Sequence, residues 1–473
     1  MLFSSTVFLQ YFLPLLLLCY YLIPQRLLSL RNWILLLFSL VFYAFGGLRC
    51  LWLLCAVILL DYLAGLFMSR TGSGKLRRLI LILNVILTLG LLGYYKYAGF
   101  AAAAAVSLGL PIAVPEIGLP IGISFFSFQG LSYVADVYRN DAPAQTNPLN
   151  VALYISLFPQ LVAGPIVRYT SIAESLRQRE HSLDGFSRGL VRFLLGFGKK
   201  MLLANAMGEL ADSAFALTGY PTLTASLAWL GAVAYTFQIY FDFSGYSDMA
   251  IGLGLLFGFR FEENFNYPYA ADSVTDFWRR WHISLSSWFR DYVYIPLGGN
   301  RCSTGRHIFN LLVVWFLTGL WHGANWTFVL WGLYYGLLLL MEKYPLRGIL
   351  PKVPKAIRRV LTLVLVILGW VLFRSDSIAK AELYLCAMFG GSGFASRQAV
   401  YYLREYWPEF LCCVLAALPL KRVLEGKLLA ETAKPGVRCA ARIAAMAFAA
   451  LVFSLGYMKL VYGGFNPFIY FQF

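Results

Sequence analysis

Charge is scarce in this chain of 473 residues, because Asp, Glu, Lys and Arg together make up only 13% of it, while 60% is hydrophobic. A soluble protein of this length could not keep so much apolar surface away from water, so the composition indicates a polytopic membrane protein. A solvated basic domain with a groove-reading motif is also lacking. The net charge of +16 therefore does not indicate nucleic-acid binding.

Metal-ligand spacing is missing as well. The eight cysteines form no C-x-x-C pair and have no His/Cys ligand spacing, so we expect no metal site and no disulfide framework. No internal repeat or heptad seam is present. No positive charge precedes the first apolar run, which therefore predicts a first spanning helix rather than a cleavable signal peptide.

Long apolar runs are present, but many are too short for a simple crossing, which needs about 20 residues. The runs occupy 7–23, 33–47, 50–68, 79–98, 222–241, 309–341, 359–373, 408–420 and 442–462. Gly, Pro or charge interrupts the further runs 119–134, 151–166 and 189–206. Broken segments persist in lipid only where they are buried in protein or line a water-filled hollow. We therefore expect an all-α membrane protein whose short helices enclose a cavity.

The basic residues fall in short clusters between these runs, which is typical of cytoplasmic loops. Their alternation with basic-poor stretches predicts that both termini lie outside. Arg306 and Lys343 belong to two cytoplasmic clusters, so the chain must rise and return between them. At about 1.5 Å per helical residue, His322 lies up to ~24 Å from Arg306, in a hydrocarbon core ~30 Å thick.

His322 is the first candidate functional residue. An ionisable side chain at bilayer depth costs roughly 2–3 kcal/mol, so it usually faces a cavity and has a function there. The alternative is a histidine that is hydrogen-bonded between helices and only aids their packing.

His282 is the second candidate, within the aromatic and basic segment 276–292. If this segment is one helix, a single face carries Trp278, Trp281, His282, Leu285 and Phe289. That pattern predicts an interfacial helix at the cytoplasmic mouth of a cavity, with its arginines facing headgroups or a phosphate. An ordinary amphipathic surface helix has the same spacing.

Two acidic residues, Asp242 and Asp248, lie inside the hydrophobic stretch 238–249, so each should have a partner. Either could orient a histidine by hydrogen bonding. We prefer the other role, which is to close a broken helix.

Several segments together resemble the membrane-bound O-acyltransferase (MBOAT) superfamily, and within it the bacterial alginate O-acetyltransferase branch. They are AGPIVRY (163–169), YFDFSGYSD (240–248), WRRWH (278–282), PLGGN (296–300), WHGANW (321–326) and WVLFR (370–374). The resemblance implies a single membrane domain: N-terminal helices 1–118, a catalytic core 119–345, and C-terminal helices with an outward tail 346–473. It also implies a ring of helices around a thin central region with funnels on both faces.

The resemblance further implies acyl transfer from a cytoplasmic thioester to a hydroxyl on the other face. His322 corresponds to the family's principal histidine and His282 to its second. A neutral imidazole is a suitable general base for this reaction. Asn325 could help to hold the oxyanion, and Trp321, in the same Trp-His-Gly element, is expected to support the site.

The expected donor is acetyl-CoA or an acyl-carrier thioester, acting as a substrate, with no bound cofactor and no metal. Candidate contacts to its phosphates are Arg279, Arg280, Arg290 and Arg301.

The C-terminal end, NPFIYFQF, is similar to the end of a small partner peptide of D-alanine transfer systems, whose tyrosine is thought to carry the acyl group. We therefore expect Tyr470 to act as a transient acyl acceptor. It would pass acetate to an extracytoplasmic serine-hydrolase-like partner. The alternative is an interfacial aromatic residue that anchors the last helix.

The expected function is acetyl transfer across a bacterial cytoplasmic (inner) membrane, for O-acetylation of an extracytoplasmic polysaccharide. D-alanyl transfer to teichoic acid and peptidoglycan O-acetylation are enzymatic alternatives. A transporter or polysaccharide-export channel is the alternative from another class, because broken helices and midplane polar residues are also transporter features.

Overall fold

The computed structural model describes residues 1–420, Arg422 and residues 435–469, and this part of the chain is helical without a β-strand. Two compact units are present: the first comprises Met1–Phe193 and Ser247–Glu262, and the second comprises Leu194–Tyr246 and Glu263–Phe473. The helices are α1 (Leu13–Leu22), α2 (Leu28–Ala44), α3 (Leu48–Arg70), α4 (Gly74–Ser107), α5 (Ile123–Arg139), α6 (Pro148–Ser156), α7 (Phe158–Leu161), α8 (Tyr169–Arg177), α9 (Leu183–Gly198), α10 (Asn205–Phe215), α11 (Ala225–Leu256), α12 (Val274–Arg280), α13 (Ile283–Phe289), α14 (Thr304–His322), α15 (Trp326–Lys343), α16 (Lys355–Arg374), α17 (Ile378–Met388), α18 (Arg397–Glu405), α19 (Trp407–Ala417) and α20 (Pro435–Val461). Short π-helical segments occupy Phe8–Phe12, Lys199–Ala204 and Arg290–Tyr294, and 3₁₀ turns occupy Pro268–Ala270 and Leu350–Lys352.

Among the described residues, four helices are long and apolar enough to cross a membrane, namely α3, α4, α16 and α20. Three shorter apolar segments accompany them: Phe8–Leu22, Leu28–Ala44 and Trp407–Ala417. This mixture of full-length and short apolar helices confirms the expected all-α membrane protein.

In the first unit, polar and small residues join α3, α4 and α5 closely. Asn84 Nδ2 of α4 donates to the buried Asp61 Oδ1 of α3 at 2.8 Å. A Cβ atom on Gly130 of α5 would collide with the Asp61 carboxylate, so α5 approaches α3 only because this residue is glycine. Polar contacts and small residues are typical of helix packing in lipid, where there is no hydrophobic drive between helices.

In the second unit, α14 and α15 form a helical hairpin that carries His322 at its turn. The apolar run 309–341, read from the sequence as one stretch, divides after His322, and Gly323 and Asn325 lie in the turn. The two helices approach at backbone distance, because a Cβ on Gly319 would meet the Phe328 carbonyl and a Cβ on Gly332 would meet that of Trp315. The expected reversal of the chain between Arg306 and Lys343 is confirmed.

One expected break is absent, because α11 runs without interruption through 238–249. Its Gly245 is used for packing, since a Cβ there would lie 2.8 Å from the Gly196 carbonyl oxygen of α9. Asp242 and Asp248 therefore have no broken helix to close.

Candidate active site

His282 lies at a break between two short helices. The single amphipathic helix expected over 276–292 is wrong: α12 ends at Arg280, α13 begins at Ile283, and His282 has a φ of 45° between them. The segment 264–266 pairs with this break, because the Asn266 N–H donates to the Arg280 carbonyl (2.9 Å) and the Ile283 N–H donates to the Asn264 carbonyl (3.0 Å). A left-handed conformation of a residue other than glycine costs roughly 1–3 kcal/mol, and such residues cluster at functional sites.

Asn264 holds this histidine in one tautomer, and sequence reasoning missed it. Its Oδ1 accepts from the Ser284 N–H (3.1 Å) and from the Ser284 hydroxyl (2.9 Å), which identifies that atom as the amide oxygen. The same oxygen lies 3.2 Å from His282 Nδ1. A carboxamide oxygen only accepts, so Nδ1 carries the proton and Nε2 presents its lone pair.

His282 is a buried, neutral imidazole with one ring nitrogen available to accept a hydrogen bond. The residue is 1% exposed, and burial lowers the pKa of its imidazole well below the usual value, which favours the neutral form. It lies in neither of the flanking helices, each of seven residues and too short to span a membrane. Among the described residues, Nε2 has no hydrogen-bond partner. A buried polar atom without a partner is unusual and points to a functional role.

His322 is the last residue of α14 and is 8% exposed. Aromatic edges surround it: its ring centroid lies 4.9 Å from that of Trp331 on α15 and 5.2 Å from that of Phe373 on α16. Water is therefore largely excluded from the imidazole, and a low dielectric strengthens every electrostatic interaction there.

Trp321 brings the two histidines together. Its ring centroid lies 5.8 Å from that of His282 and 5.0 Å from that of His322, and the residue is 4% exposed. Residues 40 positions apart in the chain thus contact one indole in a single aromatic core.

Asn325 caps the start of α15 at the hairpin turn. Its Oδ1 accepts from the Thr327 N–H (3.1 Å) and caps α15, while its Nδ2 donates to the Asp376 carbonyl (2.7 Å). The amide nitrogen has two N–H donors, so the bond to Asp376 leaves one of them for another acceptor.

The two acidic residues of α11 form ion pairs instead of contacting a histidine. Asp248 pairs with Arg192 of α9 at 2.8 Å within the first unit. In the second unit, Asp242 Oδ1 pairs with Lys200 at 2.7 Å, and Asp242 Oδ2 accepts from the Ile469 N–H at 2.9 Å. Tyr470, the expected acyl acceptor, lies outside the described residues.

Two of the four candidate arginines line a cavity and two do not. Arg279 and Arg280 line a cavity of about 350 Å³ at the end of α12. Arg290 pairs with its neighbour Asp291 at 2.6 Å, and neither Arg290 nor Arg301 lines that cavity.

Comparison with known proteins gives a family match and several related chains. The "MBOAT, membrane-bound O-acyltransferase family" matches residues 38–379. "Probable alginate O-acetylase AlgI" of Azotobacter vinelandii is 42% identical over 100% of both chains. A "Peptidoglycan O-acetyltransferase" of Helicobacter pylori is 35% identical over 87% of this chain and 83% of its own. A "Teichoic acid D-alanyltransferase" of Bacillus subtilis is 29% identical over 46% of this chain and 58% of its own.

The matched span, 38–379, includes the break at His282, the hairpin turn at His322, and Phe373 beside it. Among the related chains, enzyme names that describe acyl transfer recur. The chain therefore belongs to the membrane-bound O-acyltransferase family and is an O-acyltransferase.

Proposed function

We propose that this chain moves an acetyl group from a cytoplasmic thioester, acetyl-CoA, across a bacterial inner membrane for O-acetylation of an extracytoplasmic polysaccharide. The observation that carries the proposal is a pair of buried imidazoles that contact one indole, Trp321. Full-length similarity to an alginate O-acetylase supports acetyl as the acyl group and a polysaccharide as the final acceptor.

The reaction moves the acetyl group from sulfur to oxygen and requires two proton transfers, one from the hydroxyl and one to the thiolate. As the acceptor hydroxyl oxygen bonds to the thioester carbonyl carbon, the His322 imidazole accepts the hydroxyl proton. The tetrahedral intermediate then collapses, the carbon–sulfur bond breaks, and the proton passes to the leaving thiolate. The products are an O-acetyl ester and a free thiol. General base catalysis contributes about 10²- to 10⁴-fold to such reactions.

His282 acts as the second histidine in this proposal. Because Asn264 fixes its tautomer, Nε2 offers a lone pair to a hydroxyl or to a water molecule in the same aromatic core. Burial lowers the pKa of its imidazole, so the ring is neutral at neutral pH and Nε2 can accept a hydrogen bond from the hydroxyl or water.

D-alanyl transfer is the nearest alternative reaction. The D-alanyltransferase similarity covers less than half of this chain, whereas the alginate O-acetylase similarity covers all of it. The extent of the similarity therefore favours acetyl over D-alanyl transfer. Peptidoglycan O-acetylation uses the same acyl group and differs in the acceptor.

The experiment uses the purified full chain in vesicles, with labelled acetyl-CoA on one face and, on the other, polysaccharide oligomers together with the serine-hydrolase-like partner. We expect thiol release and acetyl transfer with acetyl-CoA, and little of either with a D-alanyl carrier-protein thioester. Exclusive use of the D-alanyl donor, or of peptidoglycan fragments as acceptor, would contradict the proposal.

For the C-terminal end, we propose that Tyr470 accepts the acetyl group and passes it to a serine-hydrolase-like partner outside the membrane. Ile469, the residue before it, is held by Asp242 and belongs to the same hydrophobic core as Trp331 and Phe373, whose rings contact His322. Tyr470→Phe is expected to abolish acetylation of the C-terminal peptide, detected by mass spectrometry, and of the final product. Tyr462→Phe, at an exposed tyrosine just after α20, serves as the matched control. Full product acetylation by Tyr470→Phe would exclude an obligatory relay.

A further inference from the structure

The cavity at the end of α12 has a polar and basic lining. Its volume is about 350 Å³. The lining residues are Ala270, Asp272, Ser273, Thr275, Asp276, Arg279, Arg280, Lys355 and Arg359. The basic residues come from two helices, α12 and the first turn of α16, with Lys355 and Arg359 on one face of α16 at i, i+4 spacing.

The acidic residues of this lining are already neutralised. Asp276 pairs with Arg280 at 2.9 Å, and Asp272 pairs with Arg358, just behind the lining, at 3.0 Å. In the part of the chain that the structure describes, Arg279, Lys355 and Arg359 take part in no ion pair. All three are exposed at the same cavity. Three cations close together repel one another unless an anion binds between them.

From this arrangement we infer that the cavity binds a phosphate group through Arg279, Lys355 and Arg359. A guanidinium presents paired N–H donors that match phosphate oxygens, and an ammonium adds a third, more mobile charge. The hydroxyl of Ser273 is a further polar group in the lining.

The position of the cavity restricts where the phosphate can come from. α16 begins at Lys355 and is a candidate membrane span, so the cavity lies at the end of a crossing. α12 leads from the cavity directly to His282. Two sources of phosphate fit this place: the phosphates of the thioester donor, and the headgroup of an anionic phospholipid. The first source rests on the proposed function.

A direct binding measurement separates these sources without requiring turnover. The intact protein is placed in nanodiscs of phosphatidylcholine alone, or of phosphatidylcholine with phosphatidylglycerol, and titrated with CoA. The test variant is Lys355→Gln/Arg359→Gln. The control is Lys352→Gln, at an exposed lysine three residues earlier that does not line the cavity.

We expect the double variant to lose at least about tenfold in affinity for one of the two ligands, as the loss of two charge-assisted contacts implies. Weakened CoA binding in phosphatidylcholine discs assigns the cavity to the donor. Unchanged CoA binding with a weaker preference for phosphatidylglycerol assigns it to the lipid. Unchanged binding of both ligands would overturn the inference. Absence of acetyl transfer by the wild-type protein would instead count against the proposed function alone, since binding is measured without chemistry.

Discussion

His322→Ala is expected to lower acetyl transfer by about 10²- to 10⁴-fold, which is the usual contribution of a positioned general base. The substitution removes the imidazole from its setting between Trp331 and Phe373. Thiol release from acetyl-CoA and O-acetyl ester formation by purified protein should fall together, because both need the same proton transfer.

The control for this prediction is another histidine on the same helix. His307 lies in the first turn of α14, where its ring nitrogens contact Lys343 (2.8 Å) and Tyr344 (3.0 Å). His307→Ala should retain most activity, because those contacts join helix ends away from the aromatic core. The His322→Ala protein should also purify and melt in detergent like the wild type. Near-normal transfer by a well-folded His322→Ala protein would show that this histidine is not the base.

Sequence reasoning predicted the hairpin well, because its determinants are local. Arg306 and Lys343 mark the two ends of the apolar run, and His322 sits near its middle. The capping role of Asn325 was also readable, since an Asn two residues before Thr327, at the start of an apolar run, is a typical N-cap. The oxyanion role expected for Asn325 stays a prediction, because the cap uses the amide oxygen and one N–H of the amide remains for another acceptor.

The break at His282 could not be read from the sequence, because its cause is not local. Helical spacing continues smoothly through 276–292, whereas the break is held by backbone and side-chain contacts from the segment 264–266. Asn264 gave no signal either: it lies 18 residues before His282 with no recognisable spacing. The partner of Asp242 was hidden for the same reason, since Lys200 lies 42 residues away.

Lys200, the partner of Asp242, forms a buried ion pair with it. Lys200 is 3% exposed and Asp242 is 2% exposed, so both charges are buried. They form an ion pair at 2.7 Å, and the pair also binds the C-terminal segment: the Lys200 ammonium donates to the Pro467 carbonyl, and Asp242 accepts from the Ile469 N–H. One buried pair thus anchors the last described residues of the chain.

Lys200→Met is expected to destabilise the protein by about 3–5 kcal/mol, because it leaves the Asp242 carboxylate buried without a counter-charge. The melting temperature in detergent should fall clearly, and backbone amides in 465–469 should exchange with deuterium faster than in the wild type. Lys352→Met is the matched control: the same change at an exposed lysine should alter neither measurement substantially.

Adding Asp242→Asn to Lys200→Met distinguishes a charge effect from simple loss of packing. The double variant removes the unpaired carboxylate and keeps a side-chain oxygen that can accept from the Ile469 N–H. It should therefore recover much of the lost stability. Together with the Asp242→Asn single variant, it gives the coupling energy between the two sites. If the single and double variants melt at the same temperature, the buried charges do not interact. If the double variant regains wild-type stability but acetyl transfer stays low, the ion pair also positions the C-terminal segment, and amide exchange in 465–469 should then stay fast.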